Sequence, residues 1–240
     1  MELDTREGHR QRLRDKFLTT GLSALHDYEI VELLLTLGTP RKDCKQQAKE
    51  AIKRFKGLRG VLDAGLEELQ EIKGIGPHNA FGVKLFQSLS ERYLKEKLIN
   101  EQIPLISPDT VFDYLRQSMG KEKQEVFKAL FLDSKNKLID SKDLFIGSLT
   151  SSVVYPRKIM EEAIKYHASG LIFAHNHPSG DSTPSNSDKE ITNNLIVAGN
   201  SMQIRVLDHI IVGGDKYFSF ADAGLIREYE LTYTKLRDSV

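Results

Sequence analysis

Near residue 107 the spacing of apolar side chains changes, and that change limits the possible folds more than any other feature of the chain. From Arg6 to Lys97 apolar residues recur at helical spacing. Tyr28, Val31 and Leu33–Leu35 mark one stripe, and Ala48, Ile52 and Phe55 mark another. Short glycine-rich breaks fall at Gly38-Thr39-Pro40, Gly57, Gly60, Gly65 and Gly74-Ile75-Gly76-Pro77. Five or six helices and no strand are expected, the last running from His78 to about Lys97. Beyond this, Ser107 at an N-cap and Pro108 at the first helical position open a helix that ends near Gly120. Val126–Leu132 and Lys137–Ile146 then read as antiparallel strands joined at Ser134-Lys135-Asn136. A helix from Pro156 to His167, a buried strand at Leu171–Ala174, a helix over Asp188–Met202 and strands at Ile204–Val212 and Tyr217–Phe220 follow. Alternating strands and helices indicate an α/β layer. The expected organisation is an all-α domain over 1–101 and an α/β domain over 102–240, meeting in the linker that contains Pro104.

Charge and composition exclude several classes. Lys+Arg and Asp+Glu both number 34, so the net charge is zero and a uniformly basic nucleic-acid coat protein is excluded. No apolar run approaches the ~18 residues of a membrane span. The N-terminus MELDTREGHRQRLRDKF is charged from its second residue and lacks the apolar core of a secretory signal. The single cysteine, Cys44, cannot close an internal disulfide, so a cytoplasmic location is expected and no membrane partner.

The densest polar cluster is AHNHPSGDSTPSNSD, residues 174–188, directly after a short apolar strand. Residues i and i+2 of a strand project to one face, so His175 and His177 can present both imidazoles to one point. Asp188, on the first turn of the next helix, can reach back to them. Two imidazoles and a carboxylate make three ligands and leave a fourth position open, as in a catalytic rather than a structural zinc site. The plainer reading is a capping box formed by Ser185 and Asp188, with the two histidines in a turn. Neither HExxH nor CxxC is present.

The spacing His175-x-His177, seven residues, Ser185, two residues, Asp188 matches the JAMM metalloprotease motif. The surrounding HNHPSGDSTPS resembles the RadC-like, or UPF0758, family. The likeness runs over roughly 102–225 and includes Asp208-His209 and Phe220. It implies an MPN-type α/β domain, a mixed sheet flanked by helices, with one Zn²⁺ per chain on His175, His177 and Asp188. It also implies an upstream glutamate that accepts a proton from the zinc-activated water. Glu125, just before the first core strand, is that candidate. Glu122 is its nearest competitor, and Glu161 and Glu162 fit less well. The implied activity is hydrolysis of a peptide or isopeptide bond in a protein or peptide substrate, with Ser185 hydrogen-bonding the oxyanion. The motif spacing selects Asp188 over Asp181 as third ligand. One of Asp208 and His209 could support a ligand from behind, or both could be a buried pair without that role. His167 reads as a helix-face residue, and His26 and His78 belong to the helical half.

That half has its own signature. Leu69–Ala80 resembles a helix-hairpin-helix, whose Gly74-Ile75-Gly76 turn and following helix start could offer backbone N–H groups to a DNA phosphate beside Lys73. Residues 41–59 add eight basic against two acidic residues. Non-specific DNA contact is one expectation, and a packing turn beside a solvated basic face is the other. The rival to the hydrolase is therefore a DNA-associated repair or recombination accessory protein, its zinc domain a scaffold or a phosphodiesterase.

Overall fold

The computed structural model describes residues 5–39, 43–147 and 154–238. The chain divides into two compact units, Met1–Ser90 and Glu91–Val240. Positions 41 and 42 of the basic stretch lie outside the described residues.

Among its described residues the first unit is helical throughout: α1 (Thr5–Thr20), a 3-10 turn at Leu22–Ala24, α2 (Asp27–Leu37), α3 (Lys45–Arg54), α4 (Leu58–Asp63), α5 (Leu66–Gln70) and the start of α6 (Pro77–Asn100). The two apolar stripes meet in one core through Val31, Leu35, Ala48 and Ala51, joined by Leu69 and Val83. Close approach of α2 and α6 depends on Gly82. A Cβ there would stand 1.9 Å from the Leu34 carbonyl oxygen, which is backbone and cannot turn aside. Gly82→Ala is therefore expected to force the helices apart and lower stability by about 1–3 kcal/mol. Urea unfolding of the full chain reads this, and an unchanged midpoint would refute it.

The division at Ser90 lies inside α6, whereas the expected boundary lay in the Pro104 linker. Residues 91–100 contain neither glycine nor proline, so nothing breaks the helix there. Its last turns place Leu94, Leu98 and Ile99 in the second unit's core.

The second unit continues with α7 (Pro108–Met119), β1 (Val126–Leu132), β2 (Leu138–Ile146), α8 (Pro156–Lys165), β3 (Gly170–Asn176), α9 (Asn186–Ser201), β4 (Arg205–Gly213), β5 (Lys216–Ser219) and α10 (Leu225–Asp238). The sheet order is β2-β1-β3-β4-β5. β1 lies antiparallel to β2 and β3, β3 pairs parallel with β4, and β4 antiparallel with β5. This is the expected mixed sheet, with α9 as the crossover that a parallel pair requires. β1 and β3 are buried along their whole length, and both read as nearly continuous apolar runs. Phe127, Phe131 and Phe173 pack on one face with residues of α8 and α9. Leu130, Ile172 and Ile210 pack on the other with Val111 and Leu115 of α7. The reading of the sequence stopped at Tyr217–Phe220 and missed α10, whose Leu225, Ile226 and Tyr229 join the first face. Among the described residues no helix is long and apolar enough to cross a membrane.

Candidate metal centre

The end of β3 and the start of α9 build the site. His175 sits near the end of β3 and His177 just beyond it, on the same side by strand alternation. The backbone then turns through Pro178–Pro184 and enters α9 with Ser185 as N-cap. Asp188 stands three residues on. One ligand atom from each of His175, His177 and Asp188 lies within 4.8 Å of the other two. His175 Nε2 is 3.0 Å from His177 Nε2 and 3.2 Å from Asp188 Oδ1, and His177 Nε2 is 3.5 Å from Asp188 Oδ2.

The electronics of this group suit a cation. His177 Nδ1 lies 2.6 Å from the carbonyl oxygen of Asp181. A carbonyl only accepts, so Nδ1 carries the proton and a neutral His177 turns the Nε2 lone pair toward His175 and Asp188. Burial pushes the His175 pKa down, disfavouring its charged form. At Asp188 burial acts to raise the pKa, but the adjoining His175 and His177 rings and the Ser185 hydroxyl hold the carboxyl well below the usual range. The Asp188 carboxylate pushes the His177 pKa up in turn. One potential ligand atom from each of the three residues thus converges on one point. Two nitrogens and one carboxylate oxygen can hold a borderline divalent ion.

Ser185 and Asp188 form the capping box that the sequence offered, while Asp188 keeps its other oxygen toward His175. Asp188 Oδ2 accepts the Ser185 N–H at 2.8 Å and its hydroxyl at 2.7 Å, and Asp188 N–H donates to Ser185 Oγ at 3.1 Å. This is a reciprocal capping box. The other oxygen, Oδ1, faces His175. In this geometry the single Ser185 proton is committed to Asp188.

Glu125 is half-buried, two residues before Phe127, and Phe127 lies directly across from His175. Its charge acts on both imidazoles. Glu122 is exposed. Glu161 and Glu162 pair with Arg157 and Lys142, away from the ligand group.

Asn176, between the two histidines, was not singled out from the sequence. It points to the other side of the strand and is 1 % exposed. Its Nδ2 donates to the carbonyls of Glu122 and Gln124, both at 3.1 Å, and its Oδ1 accepts the Val126 N–H at 2.7 Å. It therefore clamps the segment that carries Glu125 from both sides. The only signal was a buried-strand position occupied by an amide. Asn176→Ala removes the partner of three backbone groups, the buried Val126 N–H among them, and is expected to cost about 1–3 kcal/mol. Urea unfolding of the variant beside the wild type reads this, and an unchanged midpoint would refute it.

The remaining candidates separate. His175 Nδ1 lies 2.8 Å from His209 Nε2, and His209 Nδ1 lies 2.6 Å from Thr192 Oγ1. Asp208 faces elsewhere: it accepts from Ser219 Oγ at 2.7 Å and the Ala221 N–H at 2.9 Å, and burial pushes its pKa up to about 6. The Asp181 carboxylate binds the Thr183 backbone and hydroxyl, and only its carbonyl serves the site. His167 lies past the end of α8 with φ 51°, in the turn before β3 rather than on a helix face.

In the first unit α5 and α6 are joined through Gly74, at φ 93°. Asn79 Oδ1 accepts the Gly76 N–H at 2.6 Å and its Nδ2 donates to the Gly74 carbonyl at 2.8 Å. Pro77 has no N–H and Ala80 N–H bonds the Gly76 carbonyl, so three positions at this helix start are not open to a phosphate. The basic stretch is partly neutralised: Arg54 pairs with Glu71, and Arg59 with Asp63 at 3.5 Å.

The RadC-like JAB domain family matches residues 105–225, and the UPF0758 N-terminal family matches residues 7–81. A UPF0758 protein of Fusobacterium nucleatum subsp. nucleatum is 38% identical over 226 residues, covering 92% of this chain and 97% of its own length.

Proposed function

The chain belongs to the RadC-like UPF0758 family, and from that premise we propose that its second unit is a zinc-dependent hydrolase of peptide or isopeptide bonds. The observation that carries this reading is the convergence of one ligand atom from each of His175, His177 and Asp188. Zinc held there would supply Lewis acidity toward the scissile carbonyl and acidify a water molecule. Glu125, at the edge of the ligand group, accepts the proton of the attacking water and returns it to the leaving amine. Ser185 orients Asp188 at rest and, by turning its hydroxyl, donates to the oxyanion. The Asn176 clamp keeps Glu125 in place through the cycle. Nitrogen and oxygen ligands without cysteine suit a hydrolytic rather than a structural zinc. The test is metal analysis of the purified full chain, followed by capture of protein substrates on the Glu125→Gln variant. Protein that neither carries nor takes up zinc would end this reading.

A second reading, non-specific duplex DNA contact by the first unit, is favoured by one observation: Lys49, Lys53 and Lys56 are exposed along and just beyond α3. With Gly76 capped by Asn79, we assign such contact to these lysines more than to the hairpin. Binding should fall linearly with log salt, and reversing all three charges should flatten the slope by about 0.9 per lost phosphate contact. Absent or salt-independent retention on duplex DNA removes this reading and leaves the hydrolase untouched.

A further inference from the structure

We infer that His209 and Thr192 are positioning residues, and that a one-way hydrogen-bond chain starting at the Asp188 backbone carbonyl fixes the tautomer of His175. The consequence for metal rests on the hydrolase reading above; the polarity of the chain does not.

Thr192 Oγ1 lies 2.5 Å from the Asp188 carbonyl oxygen, one helical turn back on α9. Two oxygens approach that closely only with a proton between them, and a carbonyl has none, so the single hydroxyl proton of Thr192 is committed there. The same Oγ1 lies 2.6 Å from His209 Nδ1 and must accept, which places a proton on Nδ1. His209 is 1 % exposed among Phe127, Phe173 and Phe220, and neither ring nitrogen bonds a carboxylate. A fully buried imidazole whose nitrogens meet only a hydroxyl and another imidazole is neutral and carries one proton. His209 Nε2 is then an acceptor, so His175 Nδ1, 2.8 Å away, donates to it. Neutral His175 is left with a bare Nε2, the atom that faces Asp188 Oδ1 and His177 Nε2.

Asp188 thus acts twice. Its carboxylate faces the metal point, and its main-chain carbonyl, through Thr192 and His209, aims a histidine lone pair at that point. The partner of His175 is a neutral ring, so it orients the ligand without adding a second negative charge, as a carboxylate partner would. An ion at this point keeps more of its positive charge for the substrate.

The test uses the full-length protein and needs no substrate. Long-range ¹⁵N–¹H correlation on the metal-free wild type at mildly alkaline pH should show His175 and His209 both protonated on Nδ1. Thr192→Val keeps the shape but removes the acceptor. It should release the pair from that single tautomer and weaken zinc binding about 10–100-fold, measured by competition with a chromophoric chelator. Thr192→Ser should restore both, and His209→Gln, which can donate and accept in the same order, should keep more zinc affinity than His209→Leu. A wild type with His175 protonated on Nε2, or a valine variant with unchanged tautomers and affinity, overturns the chain even if zinc binds. Wild type showing the predicted tautomers but taking up no zinc overturns the hydrolase reading and leaves the chain standing.

Discussion

On the proposed reading wild type should carry about one zinc per chain, and Asp188→Ala protein is expected to leave purification without zinc and to take none up. The change removes the only carboxylate in the ligand group and leaves two imidazoles to hold a dication. It also deprives Ser185 of the acceptor for its N–H and hydroxyl, so some helix-cap stability is lost as well, of the order of 1 kcal/mol. Asp188→Asn separates the two effects. The amide keeps the volume and one oxygen for Ser185 but carries no charge, so the fold should persist while most of the metal is lost. Elemental analysis after dialysis, with far-ultraviolet circular dichroism on the same sample, reads both. An alanine variant that is folded and carries zinc at the wild-type ratio would falsify the ligand assignment.

The second large effect is expected at Glu125. Glu125→Gln keeps the shape of the side chain and removes its ability to take a proton, so turnover should fall about 10²–10⁴-fold. Zinc content should not change, because Glu125 is outside the group of atoms that converge. That split marks a proton-transfer role and contrasts with Asp188, where metal and activity disappear together. Full activity in the glutamine variant would move the role elsewhere, with Glu122 the next candidate on the same clamped segment. Loss of zinc along with activity would instead make Glu125 part of the metal site.

The legible parts were those whose cause is local. β1 was placed to the residue because a strand buried on both faces is a continuous apolar run bounded by polar turns. The meeting of His175, His177 and Asp188 was readable because strand alternation aligns the two histidines, and an N-cap sets the reach of Asp188. What stayed hidden depends on which strands become neighbours. His209 reaches His175 only because β3 and β4 pair in parallel with Phe173 opposite His209, a register no spacing within either strand announces. Asn176 acquires its clamp from pairing with β1, and the Asp181 carbonyl from the path of a turn. In the helical unit the Gly74-Ile75-Gly76 turn was visible, but its occupation by Asn79 was not. α6 runs on past the division at Ser90 because no residue interrupts it, and it ends at Asn100, just short of the Pro104 linker.

The alternation of His175, Asn176 and His177 sets how far this chain can drift in length. A single inserted or deleted residue within β3 would exchange faces, turning the amide toward the ligands and an imidazole toward the Glu125 segment, so both halves of the site would fail at once. The turn between His177 and Ser185 is largely exposed, but it must return the backbone to the start of α9 and bring the Asp181 carbonyl to His177. Relatives that keep the chemistry should therefore share both the strand length and the seven-residue spacing of that turn.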